Sequence, residues 1–248
     1  MRNEVGLDFM ERTTFKHAVP SDQMQDLPQP PLELPYDIHA KMITLPDPNS
    51  IELKRQDLRR IMVERRSIRE YAPDPMNLDI LSFLLWASQG VEQMMPGHTT
   101  LRTVPSAGAR HAFETYLAIN QVEGLEPALY RYIATRHELV ALSERGDIAG
   151  RLSEACLNQS MITTCAVVFI WTAVPYRMTW RYGQRGYRYL HLDAGHVCQN
   201  LYLASESVGC GACAIAAFDD DAVNQCLGIN GTEQFVIYLA TVGIKAAV

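Results

Sequence analysis

The 248-residue chain (27.9 kDa) carries 22 Lys and Arg against 28 Asp and Glu, a formal net charge of −6. That acidic balance argues against a nucleic-acid-binding surface, and no run reaches the roughly 20 apolar residues that a bilayer span needs. Hydrophobic residues at 48% and charged residues at 20% are those of a soluble globular protein long enough to bury one large core.

Residues 1 to about 50 are proline-rich and irregular (LPQPPLELPYD, then LPDPNS). They read as an extended arm laid over a surface, ahead of a single domain over 51–248. From Ile51 the spacing of Ile51, Leu58, Ile61 and Met62 predicts a helix, ended by Pro73 and Pro75. Asn77 is placed to cap a second helix with Leu78, Leu81, Leu85 and Ala87 on its apolar face. Glu114 to Val122 and Leu129 to Tyr132 read as strands. Asp147 to Ser160 is helix-like, and the β-branched run from Thr163 to Ala173 predicts a buried strand. Apolar positions 190, 194, 197, 198, 201, 204 and 208 keep helical spacing across Tyr187 to Val208. Gly209 to Asp220 (GCGACAIAAFDD) reads as a turn of small residues, Asp219 to Leu227 as a short helix, and Gln234 to Gly243 as the last strand. Helices and strands mix without strict βαβ alternation, so the predicted class is α+β.

Three stretches could carry chemistry. In ERRSIR, Arg65, Arg66 and Arg69 surround Ser67. Forked guanidinium donors match phosphate oxygens, although the same residues also suit a solvated helix end. In PSAGA (Pro105 to Ala109), as in GCGACAIAAFDD, small side chains let backbone approach a flat ligand. In TWRYGQRGYRY, Trp180, Arg181 and Tyr182 could line a pocket above a ring, with Tyr182 as a proton donor. Together they read either as a site for a planar, phosphorylated cofactor or as three ordinary turns.

The six cysteines, at 156, 165, 198, 210, 213 and 226, follow no disulfide framework. The N-terminus has no apolar signal-peptide core, so a reduced, cytoplasmic setting is expected. Cys210 and Cys213 form a C-x-x-C without a second pair at metal-site spacing, so no metal site is expected and they read as packing residues. No G-x-S-x-G, P-loop or H-E-x-x-H occurs.

The succession ERRSIREY, LLWASQGV, PSAGA, YRYLHLDAGHVCQNLYLASESVG, GCGACAIAAFDD and YLATVG runs from about Glu64 to Lys245. It resembles the nitroreductase-like flavoprotein superfamily, most closely its azoline-dehydrogenase-like (SagB/ThcOx-type) branch. The resemblance implies a central, mostly antiparallel sheet flanked by helices, an intertwined homodimer, and FMN at the dimer interface. It implies that Arg65, Arg66, Ser67 and Arg69 hold the FMN phosphate, ribityl chain and pyrimidine edge. Pro105, Ser106, Ala107 and Gly108 would come from the partner subunit to the isoalloxazine. Ala216 and Ala217 would present a backbone N–H near flavin N5, and Lys245 would reach the phosphate.

The implied activity is two-electron hydride transfer through flavin N5, in the NAD(P)H-linked form reducing a small electrophilic or aromatic molecule. The alternatives are an azoline-type dehydrogenase acting on a peptide or small heterocycle, and a flavin-binding or flavin-cleaving protein without nicotinamide turnover. One departure bears on the azoline alternative. The branch uses a Lys-Tyr pair, and here the pair is Arg181-Tyr182. An arginine stays protonated at neutral pH and is no general base, which leaves Tyr182 as the proton relay.

Overall fold

The computed structural model describes residues 4–54, 57–97, 99–142 and 146–246. In chain order its elements are α1 (Val5–Arg12), β1 (Met42–Thr44), α2 (Leu58–Glu64), α3 (Leu78–Gln89), β2 (Val91–Met95), β3 (Thr99–Arg102), β4 (Phe113–Ile119), β5 (Leu129–Ile133), β6 (Glu138–Ala141), α4 (Ile148–Ala155), α5 (Met161–Thr164), β7 (Val167–Ala173), α6 (Pro175–Tyr182), α7 (Gly186–Ser207), β8 (Cys210–Ile215), α8 (Asp220–Leu227) and β9 (Phe235–Ile244). Seven strands form one sheet in the order β1-β6-β5-β4-β7-β9-β8, with every neighbouring pair antiparallel. β2 and β3 form a separate hairpin.

The pleat of β7 explains the layering. Val167, Phe169, Trp171 and Ala173 point into a core shared with α3 and α7, while Val168 and Ile170 point into a second core beneath α4, α5 and α8. Successive side chains of a strand face opposite ways, so a continuous apolar run is what a strand covered on both faces requires. The predicted α+β class and helix-flanked antiparallel sheet are thus what the chain forms. Asn77 caps α3 as expected, its side chain accepting from the Asp79 N–H at 2.6 Å. The Asp219 carboxylate caps α8 in the same way, accepting from the Ala222 N–H at 2.9 Å.

Several local expectations are corrected. The helix read from Ile51 begins at Leu58, where Asp57 caps it, and buries only Ile61. Ile51 instead packs on the core as extended chain, and Leu58 and Met62 are exposed. Residues Leu157 and Asn158, both left-handed, stop α4 well short of Ser160, and Met161–Thr164 turns helical before β7 begins. The small-residue stretch from Cys210 to Ile215 is a strand, not a turn. Its glycine is required by what lies on top: a Cβ on Gly211 would fall 2.6 Å from the Ile68 Cβ, and one on Gly243 2.7 Å from the Tyr71 ring. The segment after α2 is therefore laid flat on β8 and β9, with Ile68 N–H donating to Ala212 O and Ala72 N–H to Ile244 O, each at 2.9 Å.

Residues 27–36 run across the body of the protein on a buried ionic anchor. Glu114 of β4 accepts from Arg177 of α6 at 2.6 Å and from the Leu34 N–H at 2.8 Å, and Arg131 lies 3.9 Å from its other oxygen. Arg131 donates to Leu34 O and Pro35 O, Arg177 to Pro31 O, and the Trp180 indole to Leu27 O. The same N-terminal fifty residues contain α1 and also β1, which pairs with β6 at the sheet edge.

Candidate active site

The arginine-rich turn sits where α2 gives way to the segment lying on β8. Arg65 caps α2 and stacks on the Tyr202 ring of α7, 5.1 Å to its centroid. Arg66 folds back on the carbonyls of Val63 and Arg65, at 2.7 and 2.8 Å. Ser67 bridges to Ala212, and its hydroxyl lies 3.0 Å from that of Tyr202. The Tyr202 oxygen in turn accepts the Ala214 N–H at 2.8 Å. With that lone pair used, Tyr202 can donate to Ser67, which ties α7, β8 and the arginine turn together. Arg66 and Arg69 are exposed, and no carboxylate among the described residues pairs with Arg65, Arg66 or Arg69.

Beyond β8, Ala216 and Ala217 are exposed. The turn they occupy is fixed by the Gln159 amide donating to Ala217 O at 3.0 Å and by Asp219 N–H donating to Ala155 O at 2.8 Å. Lys245 stands at the far end of the same strand pair and donates to the buried Glu206 carboxylate at 2.6 Å.

The Pro105–Gly108 loop lies elsewhere on α7. Buried Asp193 accepts from the Ser106 hydroxyl at 2.6 Å and from the Ala107 N–H at 3.2 Å, while Ser106 accepts the His111 N–H at 2.9 Å. Burial raises the Asp193 carboxyl above its ordinary value, with the Ser106 and Ala107 donors pulling the other way. Gly108 is left-handed (φ +58°), and a Cβ there would land on the Tyr182 hydroxyl. Tyr182 packs edge-on against Tyr189, and Arg181 lies over the Tyr182 ring at 5.6 Å. The structure therefore brings Pro105, Ser106, Ala107 and Gly108 together with Arg181 and Tyr182. Asp193 and Tyr202, which hold the two clusters, are separated by roughly 13 Å along α7 at 1.5 Å per residue. The loop and the arginine turn are thus held at separate points along α7.

Sequence reading missed Tyr202, Asp193 and Arg110. The first two are helical residues whose importance lies in long-range partners: Asp193 is a polar group on the buried stripe of α7, and Tyr202 packs partly buried against the same core. Cys210 and Cys213 face opposite sides of the sheet, one in each core, so they cannot meet on a common ion or in a disulfide. All six cysteines are free and buried, and burial pushes the Cys210 thiol up to about 12. A thiol reagent at pH 8 is expected to modify none of them within minutes in the native protein and all six in denaturant; rapid native labelling of Cys210 or Cys213 would contradict this packing.

A seven-stranded antiparallel sheet with helices on both faces, an arginine turn with no carboxylate partner among the described residues and a small-residue loop against an Arg-Tyr pair make this an α+β protein with two candidate binding features. Comparison with known proteins gives the family: the model of the "Nitroreductase family" matches residues 62–244. The "Putative nitroreductase MJ1384" of Methanocaldococcus jannaschii is 36% identical over 203 residues, covering 82% of this chain and 96% of that protein. The "Trifolitoxin-processing protein TfxB" of Rhizobium leguminosarum bv. trifolii is 31% identical over 145 residues, which is 55% of this chain and 39% of the relative. A crystal structure of a "putative nitroreductase" from Ralstonia eutropha superposes with a TM-score of 0.69 at 25% identity, over 90% of this chain and 96% of that one. A more distant structure, a Desulfovibrio desulfuricans protein in complex with FMN, shares the fold at 13% identity and a TM-score of 0.56, over 78% of this chain and 89% of that one. The chain belongs to the nitroreductase family.

Proposed function

We propose that this protein is an FMN-dependent oxidoreductase that works as an intertwined homodimer and reduces a small electrophilic or aromatic molecule with electrons from NAD(P)H. The observation that carries the reading is the arginine turn. Three guanidinium groups at Arg65, Arg66 and Arg69 have no acidic partner among the described residues, and Ser67 stands among them beside a strand reduced to Gly211 and Ala212. Such a donor set fits a phosphate monoester with a polar chain attached, and family membership and the FMN-bound fold relative support the same choice. Bound FMN supplies two-electron hydride chemistry at a flat ring.

The roles of this chain's own residues follow from their chemistry. Arg65 and Arg69 hold the phosphate, Arg66 and Ser67 the polar chain and pyrimidine edge, and a cation at that edge stabilises negative charge on a reduced ring. Lys245, already committed to Glu206, adds positive charge at the same end of β8 and β9. Ala216 and Ala217, exposed beyond β8, would leave room for a flat ring to approach backbone N–H groups. The partner's copy of the Pro105–Gly108 loop would complete the site, since within one chain the loop and the arginine turn are held apart along α7. Tyr182, with its hydroxyl against Gly108, carries a proton to or from the substrate, and Arg181 beside it orients the phenol and stays charged. The N-terminal fifty residues serve as an arm over the domain that begins near residue 51.

Purified protein supplied with FMN is expected to consume NADH or NADPH in step with reduction of a nitroaromatic or quinone acceptor. Retention of FMN without any nicotinamide oxidation would instead favour a flavin-binding role. Ala217→Leu places three further carbons at the close-approach turn. It is expected to lower the turnover rate by about tenfold while shifting Tm by only a few degrees; equal losses in both would make Ala217 a packing residue.

A further inference from the structure

We propose that Arg110 and Arg181 form an anion-recognising subsite beside Tyr182, so that the molecule entering the active site carries a carboxylate or phosphate. This rests on the flavoenzyme reading above and adds the class of its substrate or reductant.

Arg110 follows the Pro105–Gly108 loop and is only 6% exposed. Its bonds go to neutral groups alone: Nε donates to Gly108 O at 3.1 Å, one terminal nitrogen donates to Thr99 Oγ1 at 3.2 Å, and its plane lies over the Trp180 ring at 5.3 Å. Arg181 is exposed and stacks on Tyr182, and a Cβ on Gly108 would come within 3.0 Å of its Cδ and Nε. The two cations are close enough that Arg181, after burial, is the main influence drawing the Arg110 guanidinium below its ordinary value.

No carboxylate among the described residues pairs with either. The acid of this cluster, Asp193, is turned onto Ser106 and Ala107. In a chain of net charge −6, two adjacent unneutralised guanidinium groups run against the overall field. Holding like charges together is unfavourable, and an anion between them relieves it. Fork-shaped donors suit carboxylate or phosphate oxygens, and the half-buried Tyr182 ring gives the same molecule an apolar flank.

Two matched pairs test this: 4-nitrobenzoate against 4-nitrobenzamide as acceptors, and NADPH against NADH as reductants. The readout is the ratio of kcat/KM within each pair, which cancels any change common to both members. Wild-type protein is expected to favour the more highly charged member, 4-nitrobenzoate or the NADPH that carries an extra 2′-phosphate, in at least one pair. That preference should fall about tenfold or more in Arg181→Gln and Arg110→Gln and be largely kept in Arg181→Lys, the scale of one charge-assisted bond. Arg181 is on the surface, so its variants report even if Arg110→Gln misfolds.

A shift confined to the nitroaromatic pair assigns the anion to the acceptor, and one confined to the nucleotide pair assigns it to the reductant. Ratios unchanged in both pairs, together with an unchanged KM for each nucleotide in Arg181→Gln, overturn the proposal; an equal rise in both nucleotide KM values assigns the anion to their shared pyrophosphate. Quenching of tryptophan fluorescence by 4-nitrobenzoate, without turnover, gives a second readout, expected in wild type and weakened at least tenfold in Arg181→Gln. Because it needs no flavin, a protein that binds no FMN would fail the flavoenzyme reading while this titration still decided the anion site.

Discussion

Glu114→Ala is expected to lower folding stability by roughly 3–5 kcal/mol, the cost of stripping the counter-charge from a buried ion pair. Both guanidinium groups that face this carboxylate are buried: Arg177 is 3% exposed and Arg131 5%. Arg177 Nη1 and Arg131 Nε already lack hydrogen-bond acceptors, so no nearby group can take over the role of Glu114. The same change removes the acceptor for the Leu34 N–H and frees the arm it holds. Urea denaturation measures the loss, and limited proteolysis should show faster cleavage within residues 27–36. Glu114→Gln, which keeps an acceptor of similar shape, should lose less. A loss under about 1 kcal/mol for Glu114→Ala would mean that the ionic anchor is not a structural centre.

Arg65→Ala and Arg69→Ala are each expected to weaken FMN binding by about 2 kcal/mol or more, the scale of a lost charge-assisted bond to phosphate, or roughly thirtyfold in Kd. Arg65 also stacks on Tyr202, so its removal could act by loosening α7. Riboflavin separates the two effects, because it lacks the phosphate but keeps the ring. Binding measured by flavin fluorescence should weaken more for FMN than for riboflavin. Equal weakening of both ligands would mean that the arginines support the fold and do not contact phosphate.

The elements that sequence reading found are those with a self-contained signal. Asn77 and Asp219 announce helix starts by a cap that needs only its own next turn. The run Val167–Ala173 is apolar on both faces because both cores touch it. α7 shows its stripe over twenty-two residues. What escaped depends on partners distant in sequence. β1 has only three residues and exists because β6 lies beside it. Cys210–Ile215 looks like a turn because its small residues make room for Ile68, more than 140 positions earlier. α6 escapes because its second half falls in the basic-aromatic run Thr179–Tyr189, although Pro175 at its first turn is a helix-start signal.

The candidate site divides the same way. The motifs around Arg65 and Pro105 were legible as motifs. That Gly108 lies against Arg181 and Tyr182, and that Asp193 holds the loop, emerged only from the fold.

The most direct test of the central reading is the absorption spectrum of the purified protein, followed by identification of what denaturation releases. A flavin band in the blue, with FMN and not FAD released in about one equivalent per chain, is the expected result. A colourless protein that takes up no added FMN would contradict it.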